Sequence, residues 1–283
     1  MSWTLSTSLD EFRTAAGTFL AADPAENTVL LTILDRLGRD GLHVYGEQAP
    51  RFGWWREPDG TVTGATLRTP PYGQRLGRMP VAAAEALARI IAAEPEQPAD
   101  VAGGRAVVLA YAAEQARVTG RDWSIESNER LYRLGELTPP PIPPAGRPRP
   151  AGPTDVELVA RWLGEFCAEA EVGAPTDLRA DAEQRIVAGA LLLWEVDGLG
   201  PTALAGASPV VAGMSRIGPV YTPRERRGRG YASALTAAAS EQALGWGAEE
   251  VLLFTDLSNP TSNAIYQRIG YVPVGDSVHV AFH

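Results

Sequence analysis

The chain has 283 residues, 45% of them apolar and 21% charged, which gives room for two ordinary domains and excludes wholesale disorder. Its net charge of −9 disfavours duplex nucleic acid as a partner and suits a cationic small molecule such as an amine. The single cysteine, Cys167, excludes an internal disulfide framework, and the three histidines, His43, His279 and His283, show no metal-ligand spacing, so no metal is expected.

In chain order, the first half predicts helices over residues 9–22, 27–37, 81–93 and 104–119 and strands over 51–56 and 61–67, with Asp59-Gly60 as the hairpin turn. Trp54 and Trp55 read as core residues, with the lining of a groove as the alternative. Residues 130–134 predict a further strand. Residues 139–150 carry proline at a density that no helix or central strand tolerates, so they predict a stiff linker between a domain of residues 1–138 and one of residues 151–283.

In the second half, Pro153-Thr154-Asp155 caps a helix to about residue 170, and a second helix covers 178–190. Strands follow over 191–196, 202–207 and 215–222, the first closed by Asp197-Gly198. An alanine-rich helix over 232–244, a buried strand over 250–254, a short helix over 261–269 ended by Gly270 and a strand over 278–282 complete a mixed α/β domain with one twisted sheet. Cys167 falls on the first of these helices as a small buried apolar residue. No apolar run approaches the roughly 20 residues needed to cross a bilayer and the first residues lack signal-peptide features, so no membrane partner and a cytoplasmic location are expected.

The stretch Thr222-Pro223-Arg224-Glu225-Arg226-Arg227-Gly228-Arg229-Gly230-Tyr231-Ala232-Ser233 joins an apolar strand to the alanine-rich helix. Gly228 and Gly230 permit positive φ and close approach of a ligand to the backbone. The helix start offers unpaired N–H groups and the positive end of its dipole, which favours a phosphate by about 0.3–1 kcal/mol per charge before any burial. Arg227 and Arg229 add positive charge there, and the small Ala232 and Ser233 leave the helix start uncrowded.

This loop resembles the Arg/Gln-x-x-Gly-x-Gly/Ala signature of the GNAT superfamily of N-acetyltransferases. About 30 residues on, Asn259-Pro260-Thr261-Ser262-Asn263-Ala264-Ile265-Tyr266-Gln267-Arg268-Ile269-Gly270-Tyr271 is similar to the family's second motif, in which an Asn precedes a Tyr by seven positions and a Gly-aromatic pair closes the helix. The resemblance covers residues 150–283. It implies acetyl-CoA as co-substrate, with the pyrophosphate on residues 227–233, Tyr231 among them, and the pantetheine arm along Pro219, Val220, Tyr221 and Thr222. It also implies a CoA contact by Asn259, Asn263 as a second candidate, and Tyr266 as the acid that protonates the departing thiolate, a packing tyrosine being the alternative.

An amine acceptor of ordinary basicity needs a base, because only about one molecule in a thousand is neutral near pH 7.4. Glu195 and Asp256 are the strand candidates; Glu195 alternatively flanks the hairpin, and Asp256 alternatively caps the turn after it. The expected chemistry is direct attack in a ternary complex, with an acyl-CoA sensor or partner-binding protein without turnover as the alternative. The acceptor is not legible, because residues 170–185 and the tail after Tyr271 carry no diagnostic pattern, and neither is the oligomeric state.

The first half looks like a degenerate copy of the second, as in tandem GNAT proteins, the mycothiol synthases among them, in which such a half shapes substrate or scaffolds. Setting Thr69-Pro70 on Thr222-Pro223 places Gln74 on Arg227, Gly77 on Gly230 and Met79 on Ala232. Arg75 in place of the first glycine, the bulk of Met79 and the missing amide of Pro80 predict loss of the phosphate cradle.

Overall fold

The computed structural model describes residues 1–170, 173, 175 and 177–283. The first run of elements is β1 (Ser2–Ser6), α1 (Leu9–Ala21), α2 (Thr28–Asp40), β2 (Arg51–Arg56), β3 (Val62–Arg68), β4 (Gln74–Leu76), α3 (Val81–Ala92), β5 (Asp100–Gly104), α4 (Arg105–Thr119) and β6 (Trp123–Leu134). The second is β7 (Arg147–Pro150), α5 (Val156–Glu169), α6 (Leu178–Val187), β8 (Leu191–Val196), β9 (Gly200–Ala207), β10 (Met214–Tyr221), α7 (Tyr231–Gly245), β11 (Glu250–Asp256), α8 (Pro260–Arg268) and β12 (Tyr271–Phe282). The order β-α-α-β-β-β-α-β-α-β is thus run through twice.

Two compact units result. One comprises Met1–Leu131, Thr255–Ser258 and Pro273–His283, the other Tyr132–Phe254 and Asn259–Val272. In the first unit the strands lie in the order β1-β2-β3-β4-β5-β12, with β4 parallel to β5 and the other neighbours antiparallel. In the second the order from the edge inward is β7-β8-β9-β10-β11, with only β10 and β11 parallel.

Each sheet is covered on both faces, and the two-residue period of its strands sorts the side chains. Phe52, Trp54 and Leu67 pack under α1 and α2 with Phe12, Leu20 and Leu30. The next residue, Trp55, turns to the other face and joins Leu87, Val108 and Tyr111 of α3 and α4. Both tryptophans are therefore core residues. In the second unit Leu191 and Leu193 face Val159, Trp162 and Leu163 of α5, while Leu192 and Trp194 face Leu235 and Ala239 of α7. The alanines that α7 presents, Ala234, Ala239 and Ala243, let its axis approach the sheet closely.

Strands β1 and β5 were not expected from the sequence, and two further features depart from it. The Pro-rich stretch does not stay a linker to its end, because residues 147–150 form β7 on β8, from Arg147↔Glu195 to Pro150↔Leu192. Pro148 and Pro150 are two apart, so both missing N–H groups fall on one side of the strand, and an edge strand has a free side to spare. The second departure concerns the internal repeat. Gln74 is not in a loop but opens β4, which pairs antiparallel with β3 and parallel with β5 just as β10 pairs with β9 and β11. The true counterpart of the loop after β10 is therefore residues 77–80, and Thr69-Pro70 belongs to the turn between β3 and β4.

Candidate active site

The two parallel strands β10 and β11 pair only from Met214↔Glu250 to Arg216↔Leu252. Beyond Arg216, β10 continues to Tyr221 against β9 alone, and its register there shifts between Ile217 and Val220, where Gly218-Pro219 interrupts the ladder. Pro219 and Val220 are half-buried, and the far side of this segment is not paired with β11. That is a splayed strand with main-chain groups open to an extended ligand.

A single 3₁₀ turn, Arg224–Arg226, leads from β10 to α7. Gly228 has φ +75° and Gly230, the cap of α7, φ +83°, left-handed values that an L side chain rarely adopts. No side chain caps the helix. The amides of its first turn, at Tyr231, Ala232 and Ser233, have no place in the helical ladder and face outward with the dipole. A Cβ at Gly228 would meet nothing within 4 Å, and one at Gly230 only Pro144 at 3.9 Å, so neither glycine is packed against the protein. Tyr231 itself turns into the core, so its contribution is its amide. The hydroxyl of Thr222, buried and without a protein partner, lies at the end of β10 beside this loop.

The arginines behave differently from one another. The Nε of Arg227 donates to the Thr222 carbonyl at 2.8 Å, its guanidinium pairs with Glu169, and it lies 5.9 Å over the ring of Tyr221. Arg224 pairs with the same Glu169 at 3.1 Å. Tyr221 donates to Glu165 at 2.8 Å, and burial together with that carboxylate pushes its phenol up to about 12. Arg227 thus braces the loop against α5, and Arg229, also exposed, follows between the two glycines. Glu165 and Glu169 were not singled out in the sequence. Their i,i+4 spacing puts them on one face of α5, but nothing local says what that face meets.

On α8, Asn259 is the N-cap, accepting from the Ser262 amide at 3.0 Å, an arrangement typically worth about 1 kcal/mol. Asn263 accepts from the Tyr132 hydroxyl at 2.9 Å and donates to the Asn259 carbonyl at 2.7 Å, while Gln267 donates to Tyr132 at 3.0 Å. Tyr266 is buried, with its ring 6.2 Å from that of Tyr271. Burial pushes its phenol up to about 12, against a smaller downward pull from the Ser262 hydroxyl, so it stays protonated at any ordinary pH.

Neither carboxylate considered as a base stands free. Glu195 accepts from the Nε of Arg149 at 2.9 Å, and Arg149 also grips Asp155 through both terminal nitrogens at 2.7 and 2.9 Å. This triad ties β7 to β8 and to the start of α5. Asp256 accepts from the amide and hydroxyl of Ser258 at 2.7 and 2.8 Å, the turn-capping alternative. Of residues 170–185, read from the sequence as an acceptor-side element, Glu171, Val172, Ala174 and Thr176 lie outside the described residues.

Residues 156–271 match the Acetyltransferase (GNAT) family model. They belong to the GNAT acetyltransferase family. Similar solved structures extend the likeness beyond this GNAT domain. A GCN5-related N-acetyltransferase from Sphaerobacter thermophilus has a TM-score of 0.63 at 19% identity, with 99% of this chain and 95% of that one covered. An acetyltransferase of the GNAT family from Colwellia psychrerythraea has a TM-score of 0.59 at 13% identity over 100% and 99%. A tandem GNAT protein from the clavulanic acid biosynthesis pathway has 0.51 at 14% identity over 99% and 98%. At these identities the likeness establishes the fold: mixed α/β, with a full-length match to a tandem GNAT protein. No curated protein sequence matches the chain. Among the described residues, no cluster of His, Cys, Asp or Glu is arranged to hold a metal ion, and no helix is long and apolar enough to cross a membrane.

Proposed function

We propose that the GNAT domain transfers an acetyl group from acetyl-CoA to a small-molecule amine by direct attack in a ternary complex. The observation that carries this reading is the uncapped start of α7, with left-handed Gly228 and Gly230 in front of it, beside the splayed end of β10. The amides of Tyr231, Ala232 and Ser233 hold the pyrophosphate, and the open main chain from Pro219 to Thr222 pairs with the pantetheine arm. Acetyl-CoA supplies the thioester carbonyl that a neutral amine attacks, the C–N bond forming as the C–S bond breaks. Tyr266 gives its phenolic proton to the departing sulfur and regains one from solvent, and its raised affinity for the proton keeps it loaded as an acid. The amine's surplus proton leaves through water, because Glu195 is employed by Arg149. Asn259 and Asn263 serve by fixing the start of α8, which carries Tyr266.

The first unit is read as non-catalytic. Its amides at Gly77 and Arg78 are already taken, by the Ala65 carbonyl at 2.9 Å and the Asn27 side chain at 3.0 Å. A thiol-release assay with acetyl-CoA against a panel of polyamines, amino sugars and amino acids tests the proposal. Turnover of one acceptor class supports it. Tight acetyl-CoA binding without turnover on any of them replaces it with an acyl-CoA sensor.

A further inference from the structure

We infer that the first unit binds a free α-amino acid with an apolar side chain, in a cavity of about 540 Å³ that opens where β2 and β4 begin and β3 ends. That volume is in the usual range of small-molecule sites. Its walls are of two kinds. Leu87 and Ile91 of α3 supply an apolar side, and Arg51, Arg68, Gln74 and Glu94 a polar one.

Two groups of the polar wall are buried. Arg68 and Gln74 are 5% and 4% exposed. Arg68 is oriented by the Tyr72 carbonyl at 3.4 Å and by the carbonyl and carboxylate of Glu96, both at 3.1 Å, and Gln74 donates to Thr66 at 2.6 Å. Burying a guanidinium and a carboxamide is costly, and the second unit shows that the fold does not require it. The matching strand ends there, the start of β8, the end of β9 and the start of β10, carry Leu191, Ala207 and Met214, all buried. The first unit places two arginines and a glutamine in one row of the ladder around a space, whereas the corresponding strand ends of the second are apolar.

The charges specify the ligand. Arg51 and Glu94 pair with each other on the cavity wall. A ligand of single charge would leave one of them unpaired, whereas a zwitterion offers a carboxylate to the guanidinium groups and an ammonium to Glu94 and adds no net charge. The side chain of the ligand then faces Leu87 and Ile91. The proposal concerns the first unit alone and does not rest on the acetyl-transfer reading.

Calorimetry on the full chain with L-leucine, isocaproate and isoamylamine tests it, the last two being leucine without its ammonium and without its carboxylate. Leucine should bind at least about tenfold more tightly than either fragment. Arg51→Gln and Glu94→Gln, both at partly exposed positions, should each weaken leucine by a similar factor, and Ile91→Trp should abolish binding by filling the space. Absence of leucine binding at millimolar concentration overturns the inference. So does isocaproate or isoamylamine binding as tightly as leucine, or leucine affinity that is the same in Arg51→Gln and Glu94→Gln as in the parent.

Discussion

The two units run a strand into a helix at the same point of the same topology, yet make opposite use of the connection. After β10, residues 222–230 form a loop with two left-handed glycines and leave the first turn of α7 without a side-chain cap. After β4, residues 77–80 cross directly to α3, with Pro80 at the cap, Met79 buried and the two leading amides bonded to the protein itself. Neither helix start carries a side-chain cap; the difference lies before the cap, where one connection is a long glycine loop and the other a short crossing whose leading amides bond to the Ala65 carbonyl and the Asn27 side chain. The presence of a β-loop-α crossover therefore predicts nothing about anion binding until the amides are accounted for.

Matched glycine substitutions give the largest expected effect. Gly230→Val places a β-branched residue at φ +83°, a strain of about 1–2 kcal/mol, with its side chain at the mouth of the amide cradle. Coenzyme A affinity should fall at least about a hundredfold, close to 3 kcal/mol, with a modest loss of melting temperature. Gly77→Val should do the reverse. Its Cβ would lie 2.8 Å from Leu30, 2.9 Å from the Asn27 side chain and 3.1 Å from the Ala65 carbonyl. Stability should drop by about 2–3 kcal/mol while coenzyme A binding, by calorimetry on the folded fraction, is unchanged. Normal binding in Gly230→Val would remove the cradle assignment.

The helices that follow give a second matched pair. Tyr266 is the seventh residue of α8, and Tyr111 is the seventh of α4. Both are buried, and burial raises both phenols. Tyr111 has a hydroxyl with no partner, among the residues described. Tyr266→Phe should lower kcat by about a hundredfold or more and leave coenzyme A affinity nearly intact. In the parent protein, kcat should show no alkaline fall from this group below about pH 11, because the acid form persists until pH approaches 12. Tyr111→Phe should leave kcat alone and stabilise the protein by about 1 kcal/mol, since it removes a buried hydroxyl that bonds to nothing. Equal kcat in Tyr266→Phe would make both tyrosines packing residues.

The contrast also marks how far the sequence could be read. Helices with long periodic faces are legible because their apolar residues repeat at about 3.6 positions, as in 9–21, and the strands of the hairpin ladders because apolar runs end at turn signals, as in 191–196 before Asp197-Gly198. The strands β1, β4, β5 and β7 are not. β4 is three residues long, β5 has Val101 as its only large apolar side chain, and β7 is half proline. Their existence follows from neighbours on the sheet, not from their own pattern. That is why Gln74 falls on Arg227 in the sequence repeat: a short strand set among glycines and prolines looks like a loop. The glycine loop before α7 was legible because Gly-x-Gly before an alanine-rich helix is a local signal. The bracing of Arg227 by Glu169, 58 positions away, was not. Nor was the capture of Glu195 by Arg149, since an arginine between prolines 46 positions upstream gives no hint that it will lie in the neighbouring strand.

The smallest effects concern the ion clusters that lock each unit's strands, Arg149 with Asp155 and Glu195 in one, Arg75 with Asp100 and His279 in the other. Glu195→Gln should leave kcat within about twofold, because the carboxylate serves β7 and α5, and a loss beyond about a hundredfold would return Glu195 to the reaction as its base. Asp100 gives the pH-dependent counterpart. Burial alone would raise its carboxyl, but His279, with its Nε2 2.9 Å away, and the charge of Arg75 outweigh it and hold the group down to about 2. A depressed carboxyl contributes stability that is fully present above the unfolded value near 3.9 and fades as pH falls through the folded one. Because the pair is partly solvated, the contribution is about 1 kcal/mol. Urea unfolding of Asp100→Asn should therefore show that deficit at pH 7, and the gap to the parent should close between about pH 4 and 2. A deficit that persists unchanged at about pH 2 would mean that Asp100 holds β4, β5 and β12 by shape and neutral hydrogen bonding, and that the two clusters are alike only in appearance.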